Sequence, residues 1–565
     1  MVGLRLSSVE IVVVEDDDGA HLGVVDDGAT RHETVAAADL PARVRHLERE
    51  HRPRWVWADT AATYGRLVRA GVRVERCYDL RLCRRILRRA LHAPPPSELW
   101  DAADEGEEGL DAPPTLFGVT PLPPAEVLAE RARQREVVAG SRDPGRLATL
   151  LAAESAGALV AAEMRHDGLP WSAEAHDRLL TEVLGPRPHH GARPAVLEAL
   201  AAQVRDALDA PRLNPDSGPA LLRALRSAGI SVQTTRKWEL EQVDHPAVAP
   251  LLEYKRLARL HSANGWAWAE EWVRPGPPGG RERFHPDYVV GGVVTGRWAT
   301  RGGGALQLPK QVRGAVVADP GWRLVVADVA QLEPRVLAAM ARDERMAGAA
   351  RGGDLYQGLV DQGVIDTRDH AKVAMLGALY GATTGRSGEL VPRLLRAFPR
   401  ATAVVEGAAM RGEVGGVVRT WLGRTSPEPP PAWKAAQDRQ HEPGATDDDR
   451  RVARRLARDW GRFTRNFVVQ GTAAEWALCW LADLRNRLRA MAGPDAVRPD
   501  GTATGPHLVF FLHDEVIVHT PADLAEDVAT AVREAAAGAG RLLFGDFPID
   551  FPLDVAVVDT YADAG

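Results

Sequence analysis

The chain has 565 residues, a formal net charge of −7 and three cysteines. That length supports several domains and a large core. The scattered Cys77, Cys83 and Cys479 form neither a disulfide framework nor a zinc ligand set. The charge rules out a globally basic nucleic-acid binder, but not a local basic cleft.

The N-terminus, "MVGLRLSSVEIVVVEDDDG", offers no signal-peptide core, because acids soon interrupt its apolar run. No stretch of about 18 apolar residues is evident, so no membrane span is expected, and a reducing cytoplasm fits the cysteine usage. Residues 1–91 alternate short apolar runs with amphipathic segments, as a small α/β domain would. Residues 92–124 are proline-rich and acidic and read as an extended linker. Helical patterns dominate from Ala125, and strand-like runs return from about Phe284. The stretch Ser426–Asp449, "SPEPPPAWKAAQDRQHEPGATDDD", reads as a mobile loop. The Asp16–Asp18 run reads as a solvated turn, and "PHHG" around His189 and His190 as an exposed loop.

Chemistry concentrates in three segments. "FFLHDEVIV", Phe510–Val518, has the pattern of two short strands joined by a tight turn carrying His513, Asp514 and Glu515. "RLVVADVAQLEPR", Arg323–Arg335, runs from strand to helix with Asp328 at the changeover. Alone, Asp328 would cap the following helix, and Asp514 would be an ordinary hairpin-turn aspartate. Together they fit two adjacent strands holding carboxylates around divalent cations, the requirement of two-metal phosphoryl transfer. In "TRDHAKVAMLGALYG", Thr367–Gly381, residues Arg368, Lys372, Leu376 and Tyr380 recur every four positions, so they share one helical face. Alone, this segment would be an ordinary helix with surface Arg and Lys; in company with the two carboxylates, its cations can meet a triphosphate while the aromatic lies against a base.

These segments resemble the motifs of family A DNA polymerases, the class of bacterial DNA polymerase I. "DVAQLEPR" is similar to the family's D-Y-S-Q-I-E-L-R, and Arg368, Lys372, Leu376 and Tyr380-Gly381 to its R-x-x-x-K…Y-G motif. His513-Asp514-Glu515 matches its H-D-E. "TGRWAT" resembles T-G-R-L-S-S and "ALQLP" resembles N-L-Q-N-I-P. "RFTRNFVVQGTAAEW" resembles the segment that ends Q-G-T-A-A-D.

The resemblance covers roughly Leu147 to the C-terminus. It implies an α/β right-hand architecture, with a thumb at about 190–275, a palm at about 276–345 and 465–565, and fingers at about 346–464. It implies DNA-templated addition of dNTPs to a primer, with a primer–template and dNTPs as partners, no membrane partner and a monomeric enzyme. Two Mg²⁺ ions, replaceable by Mn²⁺, would be held by Asp328, Asp514 and the Val329 carbonyl, with Glu515 orienting the site. Arg368 and Lys372 would neutralise phosphate, Lys372 also donating a proton. Tyr380 would sit by the templating base, Tyr356 near the phosphates, and Glu333 as the gate against a 2′-OH with Leu376 walling the same pocket. Arg297, Gln307, Arg462, Asn466, Gln470 and His513 would contact DNA.

The departures from the family pattern are Leu376 for an aromatic, Tyr356 for His, Val329-Ala330 for Tyr-Ser, and Pro334 early in a helix. A single-subunit RNA polymerase shares the implied palm, and a catalytically weak DNA-binding relative shares the fold. Glu333 argues against the first, and the two aspartates against the second. No 5′-nuclease domain is evident, which points to gap filling or repair. "WADTAATYGRLVRAGVRVERCYDLRLCRRIL", Trp57–Leu87, resembles the family's second exonuclease motif, with Asp59 and Thr63 at key positions. The D-x-E and Y-x-x-x-D motifs are missing. The N-terminal domain is therefore expected to be a degenerate, ribonuclease H-like 3′–5′ exonuclease without activity.

Overall fold

The computed structural model describes residues 9–16, 19–26, 29–90, 124–189, 192–381, 385–493 and 496–565. The expected linker therefore lies outside the described residues, except Pro124, which opens a helix. Asp17, Asp18 and His190 also lie outside them; His189 is exposed. The chain divides into two compact units.

The first unit comprises Met1–Asp167, Asp287–Arg301 and Val325–Val557. Its N-terminal lobe is a five-stranded sheet. Strands Glu10–Asp16, Gly19–Asp26 and Ala29–Val35 form an antiparallel meander, and Arg54–Trp57 and Arg76–Asp79 join in parallel beyond the first. The first strand is central, and Ile11, Val12, Val13 and Val14 are all buried, as a strand covered on both faces demands. One face builds a core with Trp55, Trp57, Tyr64 and Leu159; the helix Pro124–Ala139 packs against the first two strands.

The helix Pro144–Asp167 runs through this unit. Among the described residues it alone is long and apolar enough by composition to span a bilayer, so the sequence does hold one apolar stretch of that length. However, 72% of its most apolar window is buried inside the fold, and Glu154 and Glu163 on it make ion pairs, which identifies a core helix.

A four-stranded sheet has the order His507–Leu512, Glu515–Pro521, Trp322–Val329, Leu553–Val558. The first two form the expected hairpin, with Leu512 opposite Glu515 and a bulge between Leu508 and Phe510. The 46-residue helix Asp447–Ala492 and the helix Ala525–Phe544 pack on one another.

The expected mobile loop at 426–449 is instead built. Pro431 opens a helix that runs to Arg439, and Thr446 and Asp449 form a capping box at the start of the 46-residue helix. Proline is well placed in a first turn, where its missing N–H costs nothing. Acids there complement the helix dipole. The residues that read as loop-forming are helix-starting.

The second unit comprises Gly168–Pro286, Gly302–Leu324 and Val558–Gly565. It holds a three-stranded sheet of Leu169–Trp171, Glu282–Phe284 and Val273–Arg274. A helical region is built on Val204, Leu221, Leu225, Leu240 and Leu251.

Candidate active site

The hairpin and the strand-to-helix changeover meet in the first unit. His513 takes a left-handed backbone conformation (φ 58°), and the Asp514 N–H donates to the Leu512 carbonyl at 2.7 Å, closing a tight turn. The Val329 N–H donates to the Asp514 carbonyl at 3.0 Å, which sets the hairpin tip beside the end of strand Trp322–Val329. Along that strand Leu324 to Ala327 and Val329 are buried, while Asp328 is exposed. The chain then turns through Gln331, also left-handed (φ 50°), into the helix Leu332–Ala341. Gln331 holds the N-cap position and no side chain caps this helix, so Asp328 is not spent on capping.

Pro334 is the third residue of that helix, where its missing N–H would have had no intrahelical partner. It does not break the helix. Arg335 is fully buried and donates to the carbonyls of Ala330, Ala350 and Asp550 at 2.9–3.1 Å. Burial pushes its guanidinium down to about 10. This arginine ties the turn down, in a role that the family pattern alone does not disclose.

Glu333 is shared. Arg297 pairs with one carboxylate oxygen at 2.5 Å, and the Tyr380 hydroxyl donates to the other at 2.8 Å. Burial, reinforced by Glu333, raises the Tyr380 hydroxyl well above its ordinary value, so it stays a donor. The four-residue spacing on helix Arg368–Tyr380 does place Arg368, Lys372, Leu376 and Tyr380 on one exposed face. Arg368 pairs with Asp354 at 2.6 Å and lies 5.8 Å over the ring of the buried Tyr356. Asp354 also caps the helix Leu355–Asp361 through Tyr356 N and Gln357 N. Its position one residue before a helix was the only sequence signal for it.

Arg297, Glu333, Tyr356, Leu376, Tyr380 and Asp514 line one cleft of about 210 Å³. Burial raises the Asp514 carboxyl, Glu515 and Glu333 push the same way, and Arg297 opposes them. Partial burial, with Arg297 adding to it, lowers His513. Glu515 is buried beneath the turn.

The expected DNA-contacting residues fall in both units. Arg462, Asn466 and Gln470 lie on the least buried face of the long helix. Arg462 pairs with Asp459, and Gln470 accepts from Thr295 Oγ1 at 3.0 Å. Gln470 thus touches the turn that carries Arg297. Gln307 ends a short 3₁₀ turn in the second unit.

Two carboxylates at adjacent strand ends, with the Val329 backbone beside them, form an all-oxygen donor set. That set fits a hard divalent ion that keeps several waters and also binds substrate phosphates. Among the described residues no three His, Cys, Asp or Glu side chains cluster as a fuller cage.

Comparison with known proteins follows the same lines. The chain is 28% identical over 339 residues to "DNA polymerase I, thermostable" of Thermus filiformis, covering 55% of this chain and 36% of that protein. It is 28% identical over 370 residues to DNA polymerase I of Chloroflexus aurantiacus, covering 61% and 35%. The chain thus spans about a third of the length of these relatives. In fold it is similar to the POL domain of Pol1 from M. smegmatis, solved in complex with DNA primer-template and dNTP. That match has a TM-score of 0.63 and 18% identity, and covers 99% of this chain and 96% of that one. The family model for DNA polymerase family A matches residues 220–560, more than half of the chain, and the chain belongs to that family.

Proposed function

We propose that this protein is a DNA-templated DNA polymerase that adds dNTPs to a primer 3′-OH. The observation that carries the reading is the single cleft in which Asp514, Glu333, Tyr380 and Arg297 converge, with Asp328 exposed on the adjoining strand end. Two Mg²⁺ ions, held by Asp328, Asp514 and the Val329 carbonyl, would supply activation of the 3′-OH and stabilisation of the leaving pyrophosphate.

The chain's own groups do the rest. Arg368 and Lys372, both exposed on the helix face, bind phosphate, and Lys372 donates a proton to the leaving group. Tyr380 and Leu376 border the space for base and sugar. Glu333, clamped between Arg297 and Tyr380, occupies the room a ribose 2′-OH needs. Arg297 faces the minor-groove side of the new pair. The N-terminal lobe is read as an exonuclease relic without activity.

Primer extension tests the proposal. Dependence on template and a divalent metal, with dNTPs strongly preferred over rNTPs, is expected. Extension with rNTPs alone would instead support an RNA polymerase-like enzyme. Tight primer–template binding without extension would support a DNA-binding relative.

A further inference from the structure

The N-terminal lobe reaches the residues that hold Arg297. Arg297 sits on a hairpin whose strands are Tyr288–Val289 and Ala299–Thr300. Between them the chain leaves the ladder, and the buried carbonyls of Val290 and Gly291 need donors that the hairpin does not supply. Arg85, on the lobe's helix Leu80–Leu87, donates to both, at 3.2 Å and 2.5 Å. Gly291 has φ 57° and no room for a Cβ, because Arg85 and Glu154 press against it.

A second arginine braces the other arm. Glu154 is completely buried; it pairs with Arg424 at 2.7 Å and lies 3.9 Å from Arg85. The Arg424 guanidinium packs against Gly296, the residue before Arg297. On the far side, Trp298 packs edge-on against Tyr288 and Phe511, and the Tyr288 hydroxyl bonds to the Phe511 backbone at 2.9 Å. The lobe is anchored to the same unit. Arg485 of the long helix bonds Glu163 and the carbonyls of Val74 and Glu75 at 2.6–2.9 Å, and Tyr64 donates to Glu163.

We propose that Arg85 is a positioning residue for nucleotide addition: the lobe acts as a fixed brace that, through Gly291, holds the hairpin presenting Arg297 to Glu333. This rests on the polymerase reading for its kinetic test. Truncating Arg85 leaves two buried carbonyls unpaired and frees the hairpin at its root.

The experiment uses the full chain. R85A, R85K, R297A, R85A/R297A and a control, R84A, are compared in single-nucleotide incorporation and thermal unfolding. Arg84 pairs with Glu130 within the lobe at 2.8 Å and reports loss of lobe stability alone. R85A is expected to lower kcat at least about tenfold, within the roughly 100-fold that a misplaced group can cost, with R85K partly restoring it and R84A leaving kcat unchanged. R85A added to R297A should cost nothing further. A wild-type kcat in R85A, full multiplication of the two losses, or an equal kcat loss in R84A would overturn the proposal.

Deuterium exchange across residues 288–300 provides a readout independent of activity: R85A, or R85K if R85A does not fold, should expose these amides while R84A does not. If the wild-type protein extends no primer, the polymerase reading falls and exchange alone decides the brace. Unchanged exchange in the Arg85 variant would refute it.

Discussion

The Tyr380 hydroxyl donates to the Glu333 carboxylate at 2.8 Å across 47 residues of sequence. Arg297 holds the other carboxylate oxygen, so neither oxygen of Glu333 is left to turn freely. A carboxylate clamped at both oxygens is a rigid wall, and a wall discriminates by shape where a mobile side chain would yield.

E333A should therefore raise ribonucleotide incorporation relative to dNTP incorporation by at least about tenfold, since discrimination rests on what the pocket excludes. Y380F removes one clamp and should shift the ratio less, by roughly fivefold for a hydrogen bond worth about 1 kcal/mol. Steady-state kcat/KM for matched dNTP and rNTP pairs measures both. Equal discrimination in wild type and E333A would place the gate elsewhere.

On the proposed assignment, loss of Asp328 or Asp514 removes charge stabilisation that no neighbour replaces. D328A and D514A should each reduce nucleotide addition by at least about 10³-fold while leaving primer–template affinity close to wild type. A chelator should stop the wild-type enzyme, with recovery on adding Mg²⁺ or Mn²⁺. Fluorescence anisotropy for binding and gel extension for activity separate the two effects, and near-normal extension by either variant would refute the assignment.

Glu475 gives stability a pH dependence. It is completely buried, and burial raises its carboxyl from 4.5 to about 7, although Thr420 Oγ1 and Leu422 N–H donate to it. The folded protein holds this proton more tightly than the unfolded chain. Unfolding between about pH 4.5 and 7 therefore releases it, and this group's contribution to stability falls as pH rises through that window. E475Q should be more stable than wild type above pH ~7, by up to roughly 3 kcal/mol, with the difference shrinking toward pH ~4.5. Denaturant unfolding at several pH values reads this directly. An E475Q deficit that is constant with pH would show that Glu475 stays ionised in the fold.

Periodicity carried the parts of the site that local geometry decides. The Asp514 turn follows from flanking apolar strands, and the shared face of Arg368, Lys372, Leu376 and Tyr380 follows from helical spacing. The partners of those residues were not legible, because long-range pairing leaves no mark on spacing. Asp354 meets Arg368 across 14 residues, and Arg85 meets Gly291 across 206. The helix Pro431–Arg439 was hidden for a different reason. Proline and aspartate start helices as readily as they interrupt chains, and only packing tells which.

The N-terminal lobe should not shorten a mismatched primer. An exonuclease site of this kind needs several carboxylates open to metal, and here the described candidate acids Glu15, Asp59 and Asp79 are engaged. Glu15, at the end of the central strand, pairs with Arg66 at 2.6 Å. Asp59 caps the helix Thr60–Arg69 and pairs with Arg81 at 2.8 Å. Asp79 is buried, capping the helix Leu80–Leu87 and accepting from the Thr60 N–H at 2.8 Å. Thr63 stands where the resemblance calls for a metal-binding aspartate. Freeing these carboxylates would break ion pairs and caps that shape the lobe, so metal is not expected to bind there. A time course on an end-labelled, 3′-mismatched primer without dNTPs should show no metal-dependent shortening in wild type. Shortening that persists in D514A, and so cannot arise from the palm site, would show that the lobe is an active nuclease.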